Sequence, residues 1–232
     1  MNSDTRRTDG IKAVVFDLDG TLLDTEKLLF RFWREAAAEY GYNMTAEQAL
    51  TLRSLTHRLV QPLFTEWFGE KCDYKQLRAA RMRLMSSYIG EHGLEVKPGA
   101  AELLEQLGAH GYLRAVATAT DIERASEMLK KAGLYECFDR IICASMVEWG
   151  KPKPDIYLYA AEQLGLKPGE CMAVEDSPNG VISAHTAGCF TVMVPDLTQP
   201  DEDIKPYISA VCGSLSGIAE LLHINTKGGQ TQ

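Results

Sequence analysis

The 232-residue sequence predicts an α/β fold, a Rossmann-like parallel sheet with helices on both faces and an inserted α-helical cap. Three features predict it. Short apolar runs alternate with helical patterns, which implies a parallel sheet covered on both sides. Glycines sit where those helical patterns should stop. One long stretch carries helical patterning alone, and a structureless loop of that length would be anomalous inside a compact fold.

Ala13-Val14-Val15-Phe16 is apolar and rich in β-branched residues, as a strand buried on both faces should be. Leu113 to Ala117, Cys171 to Val174 and Phe190 to Val194 share that character, and Arg140 to Ala144 and Ser209 to Cys212 are weaker members of the set. Helical spacing of three and four residues recurs in Ala100-Leu103-Leu104-Leu107 and in Ala125-Met128-Leu129-Ala132. It continues in Ile156-Ala160-Ala161-Leu164 and Val181-Ala184-His185, with Gly108, Gly133, Gly165 and Gly188 as expected stops. From Thr25 to Glu95 three helical faces follow without a strand: Leu29, Phe32, Trp33, Ala36 and Tyr40; then Leu52, Leu55, Leu59, Leu63 and Trp67; then Leu77, Leu84, Met85, Tyr88 and Ile89. The expected organisation is a core of residues 11–24 and 96–224 and a helical cap of residues 25–95. Residues 1–10 and 225–232 are expected to be loose ends, because the tail has nothing to bury.

Composition narrows the function classes. Hydrophobic residues make up 45% and charged residues 24%, as in an ordinary soluble protein. No apolar run approaches the length of a membrane span, and the polar opening Met1 to Gly10 does not read as a secretory signal. A net charge of −8 argues against nucleic-acid binding, which needs clustered Lys and Arg to neutralise phosphates. The six cysteines form no C-x-x-C pair and several lie in apolar runs, so core packing in a reduced, cytoplasmic protein is expected. With no large surplus apolar face, a monomer is expected.

Ligands of an open parallel sheet bind at the carboxyl ends of its strands. There the sequence places Asp17, Asp19, Gly20 and Thr21 after the first strand, and Thr118, Ala119 and Thr120 after the second. Lys151 follows the third in Gly150-Lys151-Pro152, and Glu175-Asp176-Ser177-Pro178-Asn179-Gly180 follows the fourth. Four acids in one crevice repel and call for a cation. Oxygen-only ligands select a hard ion such as Mg²⁺. The ion and Lys151 suit a phosphate dianion, with Thr118 and backbone N–H groups near Gly20 and Ala119 as further donors. Aspartate is a known nucleophile in aspartyl-phosphate chemistry. Asp19, two residues on, is placed to act as an acid toward the leaving oxygen and then as a base toward water.

Asp17-Leu18-Asp19-Gly20-Thr21 after an apolar strand resembles the first motif of the haloacid-dehalogenase-like hydrolases. Thr118 after Ala115-Val116-Ala117 resembles the second motif, Lys151 in Gly150-Lys151-Pro152-Lys153-Pro154-Asp155 the third, and Glu175-Asp176-Ser177 the fourth. The order and spacing match over nearly the whole chain, and the fourth motif resembles that of the β-phosphoglucomutase-like branch. The resemblance implies a Mg²⁺-dependent phosphatase of a small phosphorylated metabolite. It implies Asp17 as nucleophile and Asp19 as general acid and base. It implies Mg²⁺ held by Asp17, the Asp19 carbonyl and Asp176, with Glu175 close by, and phosphate held by Thr118 and Lys151.

Two rivals stand beside it. A sugar-phosphate mutase of this branch would carry a cap histidine where this sequence has Leu29, and its Gly-rich cap signature is not evident around Arg53-Ser54-Leu55-Thr56. An inactive phospho-ligand-binding module would be expected to have lost Asp17, Asp19 or Asp176, and all three are present. In the cap, Arg53, His57 and Arg58 are candidates to face the substrate, and Arg78, Arg81 and Arg83 form a basic stripe. The default for both groups is a solvated helix face. Trp33 and Trp67 read as cap core, and Asn179 as a substrate contact or a turn former.

Overall fold

The computed structural model describes residues 8–224. Six strands form one parallel sheet: β1 (Ala13–Phe16), β2 (Leu113–Thr118), β3 (Arg140–Cys143), β4 (Cys171–Glu175), β5 (Phe190–Met193) and β6 (Ala210–Val211). Their spatial order is β3-β2-β1-β4-β5-β6, so the strand order reverses at β1, where an open α/β sheet offers its ligand crevice. Strand side chains alternate between faces. Val14 and Phe16 join one apolar layer with Leu103, Leu104 and Leu129, while Ala13 and Val15 join the other with Ile156, Tyr157 and Ala160. The first layer is covered by α5 (Ala100–Ala109), α6 (Ile122–Lys131) and the short α9 (Ser216–Leu221). The second is covered by α7 (Asp155–Gln163) and α8 (Pro178–Ala187).

The region between β1 and α5 holds four helices and no strand: α1 (Glu26–Glu39), α2 (Ala46–Thr51), α3 (His57–Phe68) and α4 (Tyr74–His92). Trp33, Val60, Phe64, Tyr74 and Leu77 form a separate apolar cluster there. An antiparallel bridge between Leu23 and Val96 ties the two ends of the stretch together.

The structure corrects several expectations. The second helical face is broken, because α2 ends at Thr51, Leu52 to Thr56 turn, and α3 begins at His57. Thr45 starts α2 with a reciprocal cap to Gln48, and Ser54 takes a positive φ of 58° that no helix tolerates. Gly108 lies inside α5, and the turn falls at Gly111. The helix α9 has no counterpart in the expected elements, being too short to display a period. Of the expected loose start, residues 8–10 form a turn, and the Thr8 hydroxyl donates to the Leu221 carbonyl at 3.1 Å. Residues 1–7 and 225–232 lie outside the described residues.

Candidate active site

Strand register assembles the site. Phe16 is level with Val116 on one side and Val174 on the other. One residue further on, Asp17 and Glu175 emerge beside each other, followed by Thr118 on the other flank. Asp176 completes a buried trio. Asp17, Glu175 and Asp176 each offer a carboxylate oxygen, and these lie within 4.8 Å of one another. The Asp19 side chain stays outside the trio. Its Oδ1 accepts from the Thr25 hydroxyl at 2.6 Å and its Oδ2 from the Thr120 hydroxyl at 2.8 Å, which fixes it on the wall of the cleft.

Lys151 is fully buried and reaches into the trio. Its ammonium group donates to Asp17 Oδ1, to the Ala117 carbonyl at 2.9 Å, and pairs with Glu175 Oε1 at 2.6 Å. Burial works against its charge, yet Asp17 and Glu175 outweigh that and hold its pKa above the ordinary lysine range. The Tyr157 hydroxyl donates to Glu175 Oε1 at 2.5 Å. Burial pushes the Asp17 carboxyl well up; Lys151 offsets this only in part, and the neighbouring Glu175 and Asp176 add to the rise. Asp176 is pushed up to about 7 by burial, against the pull of Arg53. Asp17 Oδ2 is a buried oxygen with no hydrogen-bond partner among the described residues.

The glycines supply space. Gly20 has a φ of +93°, and a Cβ there would meet the Asp176 carboxylate and sit 2.8 Å from Glu26 Cγ. A Cβ on Gly180 would fall on the Glu175 carboxylate. The Gly20 N–H is donated to the Leu23 carbonyl at 2.8 Å, so Gly20 contributes room rather than a free donor. Thr118 and Ala119 line the cleft with Asp17 and Asp19. Thr118 is buried, and its hydroxyl accepts from the Thr120 N–H at 3.0 Å. The Asn179 amide donates to the Arg53 carbonyl at 2.9 Å and so ties the helical insert to α8.

Arg53 is the main departure from the sequence reading. It is buried, not a solvated cap residue. Its guanidinium pairs with Asp176 Oδ2, donates to the Asp176 carbonyl at 3.2 Å and to the Thr198 hydroxyl at 2.8 Å, and lies 3.5 Å from Glu26. Burial raises the pKa of Glu26 despite that neighbour. No helical period marks Arg53, because it sits in the turn between α2 and α3. The basic stripe also splits. Arg78 and Arg81 line the cleft, while Arg83 points out and pairs with Glu39 at 2.7 Å.

A family model described as haloacid dehalogenase-like hydrolase matches residues 11–188. The chain belongs to that family. All four motifs of this hydrolase fall inside or beside the trio of carboxylates, as the strand-end placement requires. The hydrolase is 32% identical over 182 residues to the phosphorylated carbohydrates phosphatase of Thermotoga maritima, covering 77% of this chain and 82% of the relative. It is 33% identical over 190 residues to hexitol phosphatase A of Escherichia coli, covering 79% and 82%. Among solved structures it is similar to CbbY from Rhodobacter sphaeroides in complex with phosphate, with a TM-score of 0.77, 26% identity, and coverage of 92% of this chain and 99% of that one.

Proposed function

We propose that this hydrolase is a Mg²⁺-dependent phosphatase of a small phosphorylated metabolite, a sugar phosphate or close relative, working through an aspartyl-phosphate on Asp17. The observation that carries the reading is Asp17 Oδ2, a buried carboxylate oxygen left without a partner beside two further carboxylates and a lysine. Relatives that act on phosphorylated carbohydrates and hexitol phosphates support the substrate class.

The residues suit a hard divalent ion. The buried acids Asp17, Glu26, Glu175 and Asp176 outnumber the buried cations Lys151 and Arg53 by two, the charge that one such ion supplies. Asp17, Asp176 and the Asp19 carbonyl, with Glu175 close by, would hold it. When bound, the ion neutralises charge on the phosphoryl oxygens. Lys151, Thr118 and the Ala119 N–H hold the phosphoryl group. Asp17 Oδ2 attacks phosphorus, the bond to the ester oxygen breaks, and Asp19 protonates that oxygen as it leaves. Asp19 then takes a proton from water as the water attacks the phosphorus of the aspartyl-phosphate, which releases inorganic phosphate and frees Asp17.

In this reading residues 11–24 and 96–224 are the catalytic core and residues 25–95 the cap that sets specificity. All six cysteines are free, which suits a reducing cytoplasm. Among the described residues no helix is long and apolar enough to cross a membrane. Leu29 lines the cleft where a mutase histidine would stand, which favours hydrolysis over isomerisation. The test is phosphate release from p-nitrophenyl phosphate and a panel of sugar phosphates, with Mg²⁺ and with EDTA, alongside a search for isomer products. Turnover lost in EDTA and lost in Asp17→Asn is the expected result. A tenth of the activity retained in Asp17→Asn would rule out the covalent route.

A further inference from the structure

The segment Arg53 to Arg58 runs through the α2–α3 turn into the start of α3 and rests on two of the loops that carry the site. On the loop after β4, the Ser177 hydroxyl donates to Ser54 Oγ at 2.8 Å, beside the bond from Asn179 to the Arg53 carbonyl. On the loop after β3, the Arg58 guanidinium lies over the Trp149 ring at 3.9 Å, and Thr56 meets Gly150. Gly150 directly precedes Lys151, whose ammonium group is held by Asp17 and Glu175. One turn of the helical insert therefore presses on the loop of Lys151 and on the loop of Asp176 together.

Gly150 is buried, and its backbone lies outside the left-handed region that favours glycine. Space is what excludes a side chain there. A Cβ on Gly150 would fall on Thr56 Cγ2, far inside van der Waals contact. From the core itself the nearest atom would be Ala144 Cβ at 3.4 Å, an ordinary contact. The core thus has room for a methyl group at position 150, and the insert fills that room with the methyl of Thr56. Threonine is stiff at χ1, and overpacking a close contact moves backbone. Ser54 keeps its positive φ of 58°, a conformation that persists where the surroundings fix it, so the turn meets the core with a set shape. A cavity of about 190 Å³ opens beside the contact, with Trp149 and Ser145 in its wall, and it shares His57, Ala119 and Asp121 with the main cleft. Lifting the turn would join the two spaces and admit water toward Asp17.

We infer that Gly150 is a positioning residue: its missing side chain lets the insert seat Thr56 against the Lys151 loop, and this sets how deeply the insert closes over Asp17. The seating is a property of the fold, and its effect on turnover rests on the phosphatase reading.

The experiment is Gly150→Ala with Thr56→Ser as its suppressor. Serine removes only the methyl group, and the Thr56 hydroxyl makes no capping bond that the exchange could lose. Amide hydrogen exchange read by mass spectrometry reports the seating without turnover. Gly150→Ala should exchange faster over residues 52–60 while β1 and β4 stay protected. Its kcat/KM for sugar phosphates should fall by about a hundredfold, mainly in kcat, as a misplacement of about 1 Å costs. Thr56→Ser alone should match the unmutated protein. Added to Gly150→Ala, it should restore slow exchange and return about tenfold or more of the lost kcat/KM, the coupling expected of residues in contact. Unchanged exchange in Gly150→Ala, faster exchange with full turnover, or a loss that Thr56→Ser leaves in place would overturn the inference. If Gly150→Ala does not fold, the double variant decides: a folded protein with slow exchange supports the seating, and an unfolded one shows that the core itself rejects the methyl. If no variant hydrolyses any ester, the phosphatase reading fails, and the exchange comparison still decides the seating.

Discussion

Replacing Arg53 with methionine should destabilise the protein severely in chelator and far less in magnesium. The Arg53 side chain is 3% exposed and that of its partner Asp176 is 0% exposed, so neither has water to turn to. Methionine keeps much of the volume but leaves Asp176 and Glu26 without their shared cation. Removing one partner of a buried pair costs about 3–5 kcal/mol. For a chain of this size, at about 2–4 °C per kcal/mol, that is a melting temperature lower by about 6–20 °C. A divalent ion held at Asp176, the acid it shares with Arg53, offsets part of the missing charge, and at a hundred times its Kd it returns about 2.7 kcal/mol. Thermal and urea denaturation followed by circular dichroism at pH 8, in EDTA and in excess Mg²⁺, measures both quantities. Magnesium should raise the melting temperature of Arg53→Met more than that of the unmutated protein. A deficit below 1 kcal/mol in EDTA, or one of equal size with and without magnesium, would refute the view that Arg53 and a divalent ion answer the same negative charge.

Asp19→Asn should lower kcat/KM about 10²–10⁴-fold for alkyl phosphates, the usual contribution of a positioned general acid, and less for p-nitrophenyl phosphate, whose phenolate leaves unaided. Equal losses for the two esters would remove Asp19 from leaving-group protonation. In EDTA, stability should fall as pH rises from about 4 toward 7. Asp17, Glu26 and Asp176 are all raised by burial, Asp176 to about 7, so between those limits the folded chain binds protons that the unfolded chain has already released. Urea midpoints that climb over that range would contradict the assignment. Gly180→Ala should cost about 1–3 kcal/mol and most of the activity, because the added methyl falls on a Glu175 carboxylate that Tyr157 and Lys151 hold in place. Full activity and an unchanged melting curve would show that the carboxylate is free to move.

Much of this protein is legible in its sequence alone. Side chains alternate along a parallel strand, and all strands of such a sheet deliver their carboxyl ends to one edge. Short apolar runs therefore located both the core and Asp17, Thr118, Lys151, Glu175 and Asp176 as neighbours in space. What the linear pattern could not decide was direction. Arg78, Arg81 and Arg83 read as one basic stripe, but at 3.6 residues per turn Arg83 stands about 200° around the helix from Arg81. Tyr74, Arg78, Arg81 and Met85 recur at four-, three- and four-residue steps, which places two arginines on the face turned inward. Periodicity names a face without naming what it meets, and here the facing partner is α6, distant in sequence. Arg53 and Asn179 lie in turns, where no period exists, and their pairing across the insert depends on how that insert is seated over the sheet. Local chemistry and its placement at the carboxyl ends of the strands thus come from the sequence itself. The balance of charge, two buried acids in excess around the carboxylate trio and, among the described residues, two arginines on the cleft wall with no carboxylate within 4.0 Å, arises when helices far apart in the chain are packed around a single chamber.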